Sequence, residues 1–349
     1  MKRTVCGVAF CLPILAVLMH LFSLPASTVR AADPSVSIPK ATVHSADPMP
    51  VSLNGIKPNE LGRALILEYH LIQPGPSQWA RSAEDFRRDL EMLYSAGYRA
   101  LSASDYLRGK IDLPAGTHPV IFTFDDSSPG QFRYLVKNGK KEIDPDCAVG
   151  MFIDFNKRHP DFGMKATFFV LPGADEPHRL FGQPEFESDK LRELAALGFE
   201  IGNHTLWHAN LKKYDAAVVR KQLGRAVQAI GAAVPGYTVN SLALPFGAYP
   251  KDLAWAVGGS YQGITYHNDG IFEVTGGPAR SPFDSRWDPL HLPRIQVTGN
   301  DLARQIRYYE RHPDEIFESD GNADTVSFPS SLKAEFSALR FKSLHAVAY

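Results

Sequence analysis

Apolar strand patterns alternate with amphipathic helices over about 250 residues, which predicts an α/β protein with a parallel sheet, closed or nearly closed into a β/α barrel. A second observation agrees: His70, Asp125, Asp126, His204 and the Pro245–Phe246–Gly247 turn all fall at or just after predicted strand ends. Barrels of this kind collect their reactive groups at the carboxyl ends of the strands. A third is the punctuation, such as Gly198, a helix-closing residue directly before an apolar strand.

The elements follow in order. Ala64 to Tyr69 reads as a strand, and Ala83 to Ala96 as a helix with Phe86, Leu90 and Leu93 on one face. Val120 to Phe124 is a buried strand, Ala148 to Lys157 a helix and Ala166 to Val170 a strand. Glu187 to Leu197 is helical, Phe199 to Gly202 extended, Ala216 to Ala233 a long helix and Ser241 to Leu244 a strand. Lys251 to Val257 reads as a helix, Gly263 to Tyr266 as another strand, and Leu302 to Arg311 as the last helix. The connection from Ser127 to Gly163 is long enough to form a cap of its own beside the pocket.

The flanks read differently. Lys2 and Arg3 precede an apolar run from Val5 to Leu24, and Val29–Arg30–Ala31 offers small residues for a peptidase. Residues 1–32 are therefore expected to be a secretory signal, with an uncleaved membrane anchor as the alternative. Export places the chain in the cell envelope or outside the cell, with no stable membrane insertion after cleavage. Residues 33–60, rich in proline, serine and alanine, read as a flexible linker. Residues 61–312 are expected to form a single catalytic domain and 313–349 a weakly patterned extension, in which Val326–Ser327–Phe328 fits an added strand. Cys147 alone lies beyond the leader, so no internal disulfide is expected in the mature chain. A net charge of -1 gives no reason to expect a nucleic-acid partner.

The chemistry concentrates in two places. Phe122–Thr123–Phe124 delivers Asp125 and Asp126 to a strand end, and Ser127–Ser128–Pro129–Gly130 supplies a turn. Consecutive strand residues point to opposite faces, so the two carboxylates serve one pocket only if the strand gives way there. Read alone, the pair fits a helix cap equally well. His204 and His208, four apart, share a face on a helical turn and can grip one ion, although isolated histidines at this spacing are often surface residues. One carboxylate and two imidazoles for a divalent metal, with a carboxylate left as base, is the inventory of a hydrolase that activates water on a metal.

Thr123–Phe124–Asp125–Asp126, His204–Thr205–Leu206–Trp207–His208 and Leu244–Pro245–Phe246–Gly247 together resemble the first three motifs of the NodB-type polysaccharide deacetylases, carbohydrate esterase family 4. The resemblance spans about Leu65 to Ile295. It implies a distorted (β/α)7 barrel and a divalent metal, usually zinc, with cobalt, nickel or manganese compatible with the same ligands. It also implies removal of acetyl groups from N-acetylhexosamines of a polymer such as poly-N-acetylglucosamine, peptidoglycan or chitin. In these terms Asp125 is the base, and Asp126, His204 and His208 are the metal ligands. Phe246 contributes a backbone N–H to the oxyanion, on a turn shaped by Pro245 and Gly247.

The sequence departs from the family pattern twice. Ala243 stands where an arginine usually orients the base, and the late motif supplying the acid histidine is absent. Both departures resemble the extracellular poly-N-acetylglucosamine deacetylase branch, in which a Tyr-His pair ends an early strand, as Tyr69–His70 does here. His70 is then the expected acid, with His291 as its rival, and Arg294 is a candidate for the missing cation. Trp207 and Phe246 are candidates for an apolar wall. Two other readings stand beside the deacetylase: an amidase of the same barrel acting on a small amide, and a catalytically silent carbohydrate-binding surface protein.

Overall fold

The computed structural model describes residues 55–349 except 76; the expected leader and most of the linker lie outside the described residues. Eight parallel strands build the sheet: β1 (Leu65–Tyr69), β2 (Tyr98–Ala100), β3 (His118–Phe124), β4 (Thr167–Val170), β5 (Glu200–Asn203), β6 (Ser241–Ala243), β7 (Gly270–Gly276) and β8 (Leu292–Gln296). Seven of them form a closed ring, β1–β3–β4–β5–β6–β7–β8, with β8 hydrogen-bonded back to β1 through Leu67↔Ile295 and Glu68↔Gln296.

Strand β3 explains why this ring is distorted. One of its edges carries β1 in five-residue register, from Leu65↔Val120 to Tyr69↔Phe124. A strand has only two edges, so β2 and β4 must share the other. β2 takes the first half at Tyr98↔His118 and β4 the second at Thr123↔Thr167. β2 is thereby excluded from the ring.

Strand alternation divides the interior in two. On β1, Leu65, Leu67 and Tyr69 join Phe86, Leu90 and Leu93 of helix α1 (Ala83–Ser95) in the outer core. Ile66 belongs instead to the inner core, with Ile121, Phe169, Ala243, Phe272 and Leu292 from the other strands. The outer layer is aromatic. Phe86, Phe122 and Phe152 meet edge to face, with ring centroids 5.1–6.4 Å apart, a favoured geometry.

The crossover helices begin where their caps dictate. Ser82 caps α1 by accepting from Asp85 N at 3.0 Å, and Asp215 caps α4 (Ala216–Ala233) by accepting from Val218 N at 3.0 Å. Helices α2 (Ala148–Arg158), α3 (Glu187–Ala196) and α5 (Asp301–Arg311) fall within a residue of their expected bounds.

Three expectations need correction. Gly263 to Tyr266 is no barrel strand: Gly258–Tyr261 and Ile264–His267 form an antiparallel hairpin. Its two-residue turn, Gln262–Gly263, has φ of 49° and 81°, the positive pair that a type I′ hairpin demands. Gly224 of α4 admits this hairpin, because a Cβ there would lie 2.9 Å from Tyr261 Cβ. The segment from Ser127 to Gly163 is no separate cap, since Phe132, Val149, Phe152 and Phe155 are buried in the outer core. The helix expected from Lys251 is only one turn, Ala254–Val257.

The C-terminal residues share the inner core, where Phe317, Val326 and Phe328 join Leu61, Ile66 and Ile121. Thr325–Phe328 is a strand, paired in parallel with His345–Ala348. Among the described residues no helix is long and apolar enough to cross a membrane.

Glu60 ties the start of the domain to this tail. Its backbone N–H donates to Ser327 O at 2.9 Å, and its carboxylate accepts from Ser327 N at 2.8 Å. Burial, aided by Asp320, pushes the Glu60 carboxyl from 4.5 up to about 9 despite those donors. The unfolded chain ionises this group near 4.5, so the folded state binds the extra proton between those values. Stability conferred by the neutral form is therefore present at low pH and declines as pH rises toward 9, by at most about 1.4 kcal/mol per pH unit. Urea melts at pH 5 and pH 8 should show a shallower decline for Glu60→Gln than for the wild type; parallel declines would contradict the assignment.

Candidate metal centre and catalytic cleft

The turn after β3 brings both aspartates to one side. Asp126 and Ser127 adopt φ of 72° and 49°, a left-handed bend that breaks the strand's alternation. The bend is anchored from several sides. Ser127 Oγ accepts from Leu171 N at 2.9 Å, Ser128 Oγ donates to His70 O at 3.0 Å, and Gln131 Nε2 donates to His70 O at 2.7 Å and to Asp125 O.

The histidines converge by a different route from the one expected. Residues 204–208 are a turn and not a helical one, with Thr205 and His208 at φ of 70° and 63°. Asn203 Oδ1 accepts from Thr205 N at 2.8 Å, and Thr205 Oγ1 accepts from Ala209 N at 2.9 Å. Buried Gln222 of α4 accepts from Leu206 N and Trp207 N at 3.1 and 3.3 Å. The loop is thus held by side chains in place of helical hydrogen bonds.

The three expected ligands meet. Asp126 Oδ1 lies 3.3 Å from His204 Nε2 and 3.4 Å from His208 Nε2. His204 Nδ1 is 2.9 Å from the Ala243 carbonyl, which can only accept, so the proton sits on Nδ1 in the neutral ring. Nε2 then presents a lone pair to a carboxylate oxygen that is buried and without a hydrogen-bond partner among the described residues. Two lone pairs aimed at each other are stable only with a positive charge between them. One oxygen and two imidazole nitrogens suit zinc or a similar divalent ion, so the residues fit the expected metal.

The electrostatics agree. Burial works against the His204 imidazolium, yet Asp125 and Asp126 outweigh it and raise the group above its ordinary value. A cation would take the place of that proton. Burial, reinforced by His204, pushes His208 down to about 4, so this ring is neutral and ready to ligate. Burial alone would raise Asp126, but its histidine neighbours hold it well below the usual carboxylate range.

Behind this group lies a second one. Glu68, His70 and Asp125 bring their polar atoms within 4.8 Å of one another. This is no second metal site, because the Arg294 guanidinium already supplies the positive charge. Arg294 Nη1 and Nη2 donate to Asp125 Oδ1 and Oδ2 at 2.8 and 2.7 Å, a bidentate pair. Nη1 also donates to Thr123 Oγ1 at 2.9 Å, Nη2 to Glu68 Oε1 at 2.9 Å, and Nε to Glu273 O. Asp125 is fully buried. Burial by itself would raise its carboxyl, but Arg294 and His204 hold it below the ordinary range, so it stays ionised. The guanidinium expected at the position of Ala243 thus arrives from β8, as Arg294.

The two histidine candidates for the acid differ in place. His70 ends β1, with Nε2 3.7 Å from Glu68 Oε1 and its ring 4.7 Å from Trp79. His291 is half exposed, pairs with Asp288 at 2.8 Å and lies 4.9 Å from the Tyr249 ring. Phe246 sits at φ 61°, ψ 12° in the Pro245–Gly247 turn, its exposed ring 4.5 Å from that of His208. Trp207 is also exposed. A cavity of about 330 Å³, lined by Asp126, Leu171, Ala174, Asp175, Glu176, His178 and His208, opens beside the ligand group.

Sequence reasoning missed Glu68, Gln131 and Gln222. Glu68 was detectable, since it is two residues before His70 and must share its strand face. Gln222 is a polar residue on a buried helix stripe. Nothing in the sequence marks Gln131.

A closed ring of seven parallel strands with an Asp–Asp pair and three histidines at one mouth is the distorted (β/α)7 barrel that the sequence led one to expect. The polysaccharide deacetylase family model matches residues 154–261, which hold His204, His208 and the Pro245–Gly247 turn; the aspartates lie just upstream. A chitooligosaccharide deacetylase of Bradyrhizobium sp. is 27% identical over 139 residues, covering 40% of this chain and 51% of that one. The chain spans about half the length of the curated relatives it matches. Two solved structures share the fold. The Streptococcus pyogenes deacetylase PplD in complex with acetate superposes with a TM-score of 0.53 at 19% identity, over 70% of this chain and 97% of that one. BC0361, a polysaccharide deacetylase from Bacillus cereus, gives 0.51 at 17% identity, over 70% and 69%. Residues 154–261 are thus similar to the polysaccharide deacetylase family, as the sequence motifs led one to expect.

Removing one ligand should cost metal affinity more than activity of any remote step. Isothermal titration of Asp126→Asn with zinc should show binding weakened by more than the roughly 10–100-fold that losing a hydrogen-bond partner behind a ligand costs. Wild-type affinity in this variant would remove Asp126 from the ligand set.

Proposed function

We propose that this chain is a metal-dependent hydrolase that removes N-acetyl groups from N-acetylhexosamine units of an extracellular or cell-wall polysaccharide. The observation that carries the reading is the pairing of two neighbouring centres: the Asp126–His204–His208 group, and an Asp125 held ionised by Arg294. A divalent cation held by Asp126, His204 and His208, zinc by preference, would supply Lewis acidity and water activation there.

The chain's own residues divide the remaining work. Asp125, kept as a carboxylate by Arg294, takes the proton from water as it adds to the acetamide carbon. The N–H of Phe246 faces the charge that develops on the acetamide oxygen. His70 gives a proton to the departing sugar nitrogen, so the C–N bond breaks to an amine and acetate. The exposed rings of Trp207 and Phe246 offer apolar surfaces for a sugar face or the acetyl methyl. These single aromatics at the mouth support a polymer over a small amide. Export through residues 1–32 belongs to the same proposal, and a secreted reporter fused to that segment tests it.

Acetate release from poly-N-acetylglucosamine, peptidoglycan and chitin oligomers, with and without a chelator, tests the activity. At least one polymer should yield acetate, and the chelator should abolish it reversibly. Zinc binding with acetate from none of the three would overturn the reading. In the active assay, His70→Ala should lower kcat by about 100-fold or more, the scale of a general acid's contribution. His291→Ala should leave it within about twofold. The reverse pattern would exchange the two roles.

A further inference from the structure

We propose that Glu68 is a positioning residue for both ends of the reaction: its buried carboxylate braces the Arg294 guanidinium against Asp125 and faces the His70 ring from the other side. This rests on the reading of Asp125 as base and His70 as acid.

The position itself argues for a role. Glu68 lies on the inner face of β1 between Ile66 and His70, with its side chain fully buried. One inner-face step below, Ile66 packs with Ile121, Phe169, Ala243, Phe272 and Leu292 in an apolar core, so the carboxyl marks the point where the interior turns polar. Burying one costs several kcal/mol unless it is paired. Arg294 is an incomplete explanation for it, because Asp125 already satisfies that guanidinium bidentately.

The contacts show what Glu68 adds. Arg294 Nη2 is shared, 2.9 Å from Glu68 Oε1 and 2.7 Å from Asp125 Oδ2. A guanidinium gripped by one carboxylate pivots about that pair; a second carboxylate in a different direction removes the freedom. The same Oε1 is 3.7 Å from His70 Nε2, so one oxygen stands between the guanidinium and the imidazole. Oε2 has no partner among the described residues, so this carboxylate is not consumed by structural hydrogen bonds. Burial raises the Glu68 carboxyl, and Arg294 works against that rise. Base, brace and acid thus form one connected unit, Asp125–Arg294–Glu68–His70.

The test uses zinc-loaded wild type, Glu68→Leu, Glu68→Gln, Arg294→Lys and the Glu68→Leu/Arg294→Lys double variant, each with its metal content measured. Glu68→Leu should lower kcat roughly 10–100-fold, the usual effect of losing a supporting contact, with KM within about twofold and zinc retained. Glu68→Gln keeps an oxygen for Arg294 Nη2 and should recover most of that loss. The double variant should fall no further than the worse single variant, since both disrupt one unit. Wild-type kcat in Glu68→Leu, or losses that multiply in the double variant, would overturn the proposal. Should the wild type release no acetate at all, the functional reading fails, and crystal structures decide this one separately. A displaced Arg294–Asp125 pair or rotated His70 ring in Glu68→Leu supports the brace; both unmoved refutes it.

Discussion

A single buried cation organises the interior of this barrel. The Arg294 guanidinium reaches across from β8 to Asp125 on β3 and Glu68 on β1, and touches Thr123 and the β7 backbone on the way. Without it, two carboxylates would lie side by side in a region closed to water, and one would have to take up a proton. Breaking a buried pair by removing one partner typically costs about 3–5 kcal/mol, so the arginine is a structural necessity as well as a chemical one. Its fork geometry matters too, because only a planar group with parallel donors meets Asp125 bidentately while keeping a direction free for Glu68.

The metal-ligand group is arranged by the opposite principle. There, donors are aimed at one point without a partner, and the loop that carries them is kept in shape from outside. Asn203, Thr205 and Gln222 take up the backbone N–H groups of residues 205, 206, 207 and 209. Ala243 contributes only its carbonyl, which sets the tautomer of His204. Its side chain is small, and the inner core closes over it with Phe272 and Phe169.

Much of this was readable from the residues. The Asp125–Asp126 and His204–His208 pairs stood out because carboxylates and imidazoles after apolar strands have few structural uses. What stayed hidden has physical causes. β8 contains Pro293, which argues against an interior strand, and β7 is interrupted by a register shift before Gly276, so neither presents a clean alternation. The hairpin at Gln262–Gly263 imitates a barrel strand because its second half has the same apolar composition. Glu68 was passed over because its run was read for hydrophobicity and not for which face each residue takes. Gln131 acts through two carbonyl oxygens that become neighbours only when β1 and β3 pair, and no local pattern records that.

The order of the ring strands along the chain has an outcome for charge. β8 is the last of the seven ring strands in chain order, and it both seals the ring against β1 and carries the arginine that holds Asp125 ionised. A polypeptide ending before residue 292 would hold Asp125, Asp126, His204 and His208, yet lack the cation that keeps Asp125 ionised. The charge state of Asp125 in this way waits on closure of the ring, a dependence written into strand order.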